Sequence, residues 1–143
     1  MGKPNPMPES VTDRCTKSHE YIFLLSMSKN YYYDYEAVKE EAIGGETRNK
    51  RSVWTVNPKP YKEAHFAVYP TKLIEPCILA GCPEGGTVLD PFGGSGTTGL
   101  VADRLKRSAI LIELNPDYVE IMRKRLEGDA PLFTDINIDG INT

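Results

Sequence analysis

Thr87-Val88-Leu89-Asp90-Pro91-Phe92-Gly93-Gly94-Ser95-Gly96-Thr97-Thr98-Gly99 decides the fold of this chain. Thr87–Leu89 reads as a short strand, and Gly94-Ser95-Gly96-Thr97-Thr98-Gly99 matches the G-x-G-x-x-G pattern. A helix is predicted from about Thr97 to Lys106, a second strand over Ala109–Ile112, and a second helix from about Asp117 to Leu126. Strand, loop, helix, strand and helix in this order are the signature of a βαβ unit, hence of a parallel sheet with right-handed crossovers. The fold class is therefore α/β and Rossmann-like.

Glu113 stands nineteen positions after Gly94, at the end of the next strand. A carboxylate there can accept hydrogen bonds from both ribose hydroxyls of an adenosine, so loop and acid together indicate a nucleoside cofactor. A P-loop is excluded, because Gly99-Leu100 stands where Lys-Ser or Lys-Thr would follow the glycines. A dinucleotide such as NAD is the serious competitor. Against it stands Asp90, whose carboxylate at the strand tip repels a pyrophosphate. The same charge suits a cofactor carrying an ammonium and a sulfonium and no phosphate, which S-adenosylmethionine is. The third reading is a tight turn whose glycines serve geometry alone.

Upstream, Thr71–Gly81 predicts a helix with Leu73, Ile74, Cys77 and Ile78 on one face, Thr71 capping its start and Gly81 its end. Pro76 is tolerable there only near the first turn. Glu20-Tyr21-Ile22-Phe23-Leu24-Leu25-Ser26 is a continuous apolar run of a length suited to a buried strand. Tyr31-Tyr32-Tyr33 reads as a second short strand, its rings in core and edge packing more readily than stacked on bases. Residues 34–64 are charged, contain Gly44-Gly45, and read as a linker or insertion without a core of its own. Met1 to Pro8 is proline-rich with no strand or helix pattern, and the segment after Gly128 is a polar tail that frays.

A length of 143 residues suits one domain, and 40% hydrophobic with 26% charged residues is ordinary globular composition. Seventeen Lys plus Arg against twenty Asp plus Glu leave a net charge of −3, so any contact with nucleic acid must rest on a local basic patch. Arg48, Lys50, Arg51, Lys59 and Lys62 form the one such cluster. Cys15, Cys77 and Cys82 have neither CxxC nor zinc-ligand spacing, which predicts a reduced, intracellular protein with no metal. No apolar run approaches the roughly 20 residues needed to span a bilayer.

Asp90-Pro91-Phe92-Gly93-Gly94-Ser95-Gly96-Thr97-Thr98-Gly99 resembles motif I of the DNA adenine-N6 and cytosine-N4 methyltransferases. His65-Phe66-Ala67-Val68-Tyr69-Pro70 resembles their motif X, Ile112-Glu113-Leu114-Asn115-Pro116-Asp117-Tyr118 their motif II, and Ser18-His19-Glu20-Tyr21-Ile22-Phe23-Leu24-Leu25 their motif VIII. Lys3-Pro4-Asn5-Pro6 is similar to the segment just before motif VIII. The order VIII, X, I, II is the tail of the β-type permutation, in which the catalytic motif comes first. The resemblance covers residues 3 to about 133. It implies S-adenosylmethionine as cofactor, held by Phe66, Ala67, Asp90, Pro91, Phe92, Gly93, Ser95, Gly96, Thr97, Glu113 and Asn115. It implies double-stranded DNA as partner, with His19 at the target base and Arg48, Lys50 and Arg51 at DNA, in the cytoplasm of a bacterial or phage-type system. His65 reads as a structural residue of the motif X turn.

The family's [Asp/Asn/Ser]-Pro-Pro-aromatic loop, which grips the amino group of a flipped base, is absent from residues 1–143. Asn57-Pro58-Lys59-Pro60-Tyr61 has an interposed lysine that displaces the ring, and Asn115-Pro116-Asp117-Tyr118 lacks the second proline and opens a helix. Motif III is absent as well. No catalytic residue is therefore assigned, and an incomplete methyltransferase fold is expected, inactive alone. The expected organisation is 1–33 with sheet strands, 34–64 as linker or target-recognition insertion, 65–128 as the cofactor-binding half, and 129–143 as tail. A subunit of a split methyltransferase, needing a missing N-terminal half or self-association, and an NAD-binding domain are the alternatives.

Overall fold

The computed structural model describes residues 1–4, 6, 8–57, 68–129 and 135–140. Among them the elements run β1 Glu40–Glu41, β2 Thr47–Arg48, α1 Thr71–Gly81, β3 Thr87–Asp90, α2 Thr97–Arg104, β4 Ser108–Leu111 and α3 Pro116–Asp129. The described residues fall into two units: one from Met1–Pro60 and Tyr69–Pro83, the other from Val68 and Glu84–Thr143.

The second unit is the anticipated βαβα arrangement. β3 and β4 pair in parallel, with Thr87 beside Ser108, Val88 beside Ala109, Leu89 beside Ile110 and Asp90 beside Leu111. The ladder extends past the strand ends, where Ile112 N donates to Asp90 O at 2.9 Å and Gly93 N to Ile112 O at 2.8 Å. Side chains alternate across a strand. Val88, Asp90, Ala109 and Leu111 are half-buried on one face, while Leu89, Ile110 and Ile112 stay 61%, 56% and 50% exposed on the other. α2 packs on both strands and on α3, and every residue from Thr97 to Ala102 is buried. Lys106 closes α2 with φ +60°, and Arg107 N donates back to Ala102 O at 2.8 Å before β4 begins. Asn115 and Pro116 start α3 as expected: the Asn115 Oδ1 accepts Asp117 N at 2.9 Å, a side-chain N-cap with proline at the first helical position.

In the first unit several expectations change. Tyr21–Leu25 is neither a strand nor buried, with Tyr21 71%, Phe23 77% and Leu25 86% exposed. Tyr31, Tyr32 and Tyr33 likewise form no strand and remain about half exposed, so they are not core residues. A strand needs a neighbour to take its backbone groups. Here the pairing stops at the start of the run: Gly2 bridges His19 antiparallel and Thr55 parallel, Lys3 N donates to Ser18 O and Glu20 N to Met1 O. The proline-rich opening thus supplies a short pairing segment where no strand pattern was legible.

Residues 34–57, read as linker, contain a hairpin. Glu40 lies opposite Arg48 and Glu41 opposite Thr47, with Gly44 and Gly45 turning the chain at φ +113° and +87°. Val38 and Val56 are buried beside it. α1 has the expected extent, but Pro70 rather than Thr71 is its N-cap, with no side-chain cap bond. Gly81 is the last helical residue, and Cys82 caps the end in extended conformation at φ −135°, so no left-handed glycine is used. Pro76 sits in the second turn and gives the helix no N–H for the Lys72 carbonyl. The helix α3 runs through Asp129, one residue into the expected tail. Phe66, Ala67, His65, Lys59, Lys62 and Pro58 to Tyr61 lie outside the described residues. Among the described residues no helix is long and apolar enough to cross a membrane, and no group of three or more His, Cys, Asp or Glu is placed to hold a metal ion.

Candidate functional site

The C-terminal edge of a parallel sheet is where carbonyl-end loops and helix N-termini meet, and ligands bind there in open α/β sheets. β3 delivers Asp90 to that edge and β4 delivers Glu113 just beyond it. The glycine loop closes between them, with Gly96 N donating to Gly93 O at 2.8 Å and Leu100 N to Gly96 O at 3.0 Å as α2 begins.

Glu113 is the hinge of the arrangement. Its Oε2 accepts Gly94 N at 2.9 Å and its Oε1 accepts Asn115 N at 2.8 Å. The carboxylate is thereby fixed beside the loop. An ionised carboxylate offers about four lone-pair sites. Two backbone donors leave acceptor capacity for hydroxyls of a bound sugar. Asp90 has a different duty from the one anticipated for it alone: its Oδ1 accepts Phe92 N at 3.0 Å and its Oδ2 accepts the Thr98 hydroxyl. It ties the strand tip to the first turn of α2, and any ligand contact it makes is additional to that shape-keeping.

The glycines answer to packing as much as to a ligand. A Cβ on Gly93 would lie 2.9 Å from Met122 Cε, one on Gly96 2.6 Å from Met122 Cγ, and one on Gly99 2.7 Å from Leu111 Cδ1. Their bare faces therefore receive side chains of α3 and β4. Gly94 alone faces open space, with Phe92 O at 3.8 Å the nearest atom to a notional Cβ. Phe92 in the loop and Leu114 after β4 are 85% and 95% exposed, apolar side chains free to meet an aromatic base. Pro91 is exposed beside Phe92, while Gly93, Ser95, Gly96 and Thr97 are buried.

Beneath the loop Arg125 of α3 donates from one nitrogen, Nη1, to Ser95 O at 3.1 Å, Ser95 Oγ at 3.0 Å and Thr97 Oγ1 at 2.9 Å. Arg125 and Met122 were not singled out from sequence, and Gly94 and Thr98 were read only as members of the glycine motif. The available signal was the pair of hydroxyls in a buried loop, since buried hydroxyls need partners.

The DNA-facing candidates belong to the first unit. Arg48 Nε and Arg51 Nε both donate to Glu40 Oε1, at 3.1 and 2.7 Å, and hold that carboxyl below its ordinary pKa, Arg51 the more strongly. Lys50 Nζ stands 5.2 Å from the centre of the Trp54 ring. His19 packs edge-on against Tyr21 at 5.3 Å, and Tyr21 stacks with Phe23 at 6.0 Å. The basic cluster is thus partly neutralised within its own hairpin.

Comparison with known proteins fits this geometry. The sequence profile of the DNA methylase family of N6/N4 methyltransferases matches residues 1–124. The type II methyltransferase M.Cfr9I of Citrobacter freundii is 58% identical over 127 residues, which cover 89% of this chain and 42% of the relative. The chain thus spans less than half the length of that relative. Among solved structures, the complex of M1.HpyAVI with SAM is similar at a TM-score of 0.59 and 25% identity, over 87% of this chain and 58% of that one. The cytosine-N4-specific PvuII DNA methyltransferase is similar at a TM-score of 0.50 and 31% identity, over 64% of this chain and 34% of that one. With four family motifs in order, and two of them meeting at one sheet edge, the chain belongs to the DNA methylase family of N6/N4 amino-methyltransferases.

Proposed function

We propose that this chain is the S-adenosylmethionine-binding portion of a DNA methyltransferase that modifies the exocyclic amino group of adenine (N6) or cytosine (N4). The observation that carries the reading is the Glu113 carboxylate, fixed by Gly94 N and Asn115 N beside the open side of the glycine loop. Glu113 binds the ribose hydroxyls. Asp90, Pro91, Phe92, Gly93, Ser95, Gly96, Thr97 and Asn115 shape the pocket around the nucleoside and methionine parts, and Phe66 and Ala67 complete it. When bound, the cofactor supplies the methyl group. DNA lies against the unit that carries His19, Arg48, Lys50 and Arg51, and the work is done on bacterial or phage DNA in the cytoplasm. Cytosine N4 is the first target to test, because the similar PvuII enzyme is cytosine-N4-specific.

The Pro-Pro-aromatic loop is not within residues 1–143, so this chain alone is expected to bind cofactor without turnover. A second reading, a subunit completed by a partner chain that carries the loop, is favoured by the uncovered apolar face of Leu89, Ile110 and Ile112. Parallel sheets are ordinarily covered on both faces. Calorimetry with S-adenosylhomocysteine and NAD in parallel tests the cofactor assignment. S-adenosylhomocysteine should bind and Glu113→Ala should abolish binding; tighter NAD binding would overturn the reading. Transfer of labelled methyl to DNA should be absent for the chain alone and appear when a polypeptide bearing the missing loop is added. Analysis of the digested DNA then separates N4-methylcytosine from N6-methyladenine.

A further inference from the structure

We infer that Arg125 is a positioning residue for the cofactor loop, holding its backbone from the side opposite the ligand. The inference rests on the cofactor reading above and deepens it. α3 presents Met122 and Arg125 one turn apart, and both meet the loop. Met122, 9% exposed, fills the space that side chains at positions 93 and 96 would need. Arg125 reaches the polar groups between and beyond them, the carbonyl and hydroxyl of Ser95 and the hydroxyl of Thr97. Ser95 and Thr97 are 4% and 2% exposed, so their oxygens are withdrawn from water and depend on a protein donor.

These acceptors flank Gly96, which sits at φ +77° as the N-cap of α2. That helix start has no side-chain cap bond and no acidic residue in its first turn. Its entry is instead held by Arg125 from below, and from the strand side by Glu113, whose Oε2 takes Gly94 N, and by Asp90, whose Oδ2 takes the Thr98 hydroxyl. Glu113 and Arg125 pull on the peptide units either side of the Gly94–Ser95 peptide: a carboxylate on the Gly94 N–H, a guanidinium on the Ser95 carbonyl. The grip also has a fixed orientation. One Nη1 carries two hydrogens for three acceptors, so they must converge on a small region, and that nitrogen is held in the plane of a rigid guanidinium, whereas a lysine ammonium rotates freely on a flexible stem. The Asp129 carboxyl on the same helix is bound by Arg104, whose hydrogen bonds hold it below its ordinary pKa, and Arg125 adds only a weaker electrostatic pull. Arg125 acts through the loop and needs no contact with the ligand.

Two measurements on wild type, Arg125→Met, Arg125→Lys and Arg125→Ala test this. Amide hydrogen exchange reads the loop residues 94–98 without any cofactor, and calorimetry reads S-adenosylhomocysteine affinity. Arg125→Met should keep the wild-type circular dichroism, exchange the loop amides at least about tenfold faster, and bind at least about tenfold more weakly, roughly the loss of one charge-assisted hydrogen bond. Arg125→Lys should recover only part of either. Added methylguanidinium should restore loop protection and affinity to Arg125→Ala, a rescue that loss of general packing would not show. Wild-type exchange and affinity in Arg125→Met would overturn the inference, as would failure of the guanidinium rescue. Should the wild type bind no S-adenosylhomocysteine, the cofactor reading fails, and the exchange arm still decides the role of Arg125.

Discussion

Replacing Gly96 by alanine tests the packing of the loop on α3 with two separable costs. At φ +77° an L-residue is strained by about 1–2 kcal/mol. The new Cβ would also stand 2.6 Å from Met122 Cγ, 3.4 Å from its Cβ and 3.6 Å from its Cα. Only the Cγ approach is a clash, the other two being ordinary van der Waals contacts, but Cγ is near the root of a buried side chain and not its flexible tip, so an overpacking cost of about 1–3 kcal/mol is added. Together Gly96→Ala should destabilise by about 2–5 kcal/mol. Gly94→Ala is the internal control. Its φ is +51°, but nothing lies closer to the new Cβ than Phe92 O at 3.8 Å, so only the conformational cost of about 1–2 kcal/mol applies. Met122→Ala by itself should cost about 2–5 kcal/mol through the cavity it leaves. In the double variant part of the clash disappears, so the two effects should fall short of additivity by about 1–3 kcal/mol. Urea unfolding followed by far-ultraviolet circular dichroism reads the four variants and the wild type. Gly96→Ala within about 0.5 kcal/mol of wild type, equal costs at positions 94 and 96, or strict additivity with Met122→Ala would each refute the account.

Three further outcomes follow from local geometry. Asn115→Ala removes the acceptor of Asp117 N and should cost about 1 kcal/mol in urea, whereas Asn115→Asp should be nearly neutral. Pro76→Ala returns an N–H to the second turn of α1 and should stabilise by up to about 3 kcal/mol, seen as slower amide exchange across Thr71–Gly81; unchanged exchange would show that the helix has adapted fully to the proline. The Asp129 carboxyl, with its pKa held below the ordinary value of 3.8 by the Arg104 hydrogen bonds and then by Arg125, favours the folded state when ionised. Its contribution is therefore complete above that ordinary pKa and is lost as the pH falls through the depressed one. Because the Arg104–Asp129 pair is largely exposed, the loss should be no more than about 1 kcal/mol, and Asp129→Asn should remove it from the acid limb of a urea-midpoint profile.

Much of the second unit was legible because its determinants are local. The strand Thr87–Asp90, the turn glycines and the helix that follows are consecutive, and Glu113 reaches Gly94 because parallel pairing of β3 with β4 brings their ends together. Asn115-Pro116 likewise announces the start of α3 within a few residues of sequence. The first unit was less legible. Tyr21–Leu25 has the composition of a buried strand, yet a strand is made by its neighbour, and composition does not say whether one is present. The hairpin of Glu40 with Arg48 was masked by charged residues that read as linker, although opposite charges facing one another stabilise such a pair.

By itself the sequence determined the βαβ order, the kind of cofactor the loop and Glu113 suit, and the family to which the motifs point. Only the tertiary structure decided why the loop keeps its shape. Arg125 lies thirty residues from Ser95 in the chain and within hydrogen-bonding distance of it in space. Gly93, Gly96 and Gly99 carry no side chain because Met122 and Leu111 occupy the volume beside them. Such close approaches depend on the packing of α3 against the loop, and packing is a property of facing surfaces that no local pattern of residues encodes.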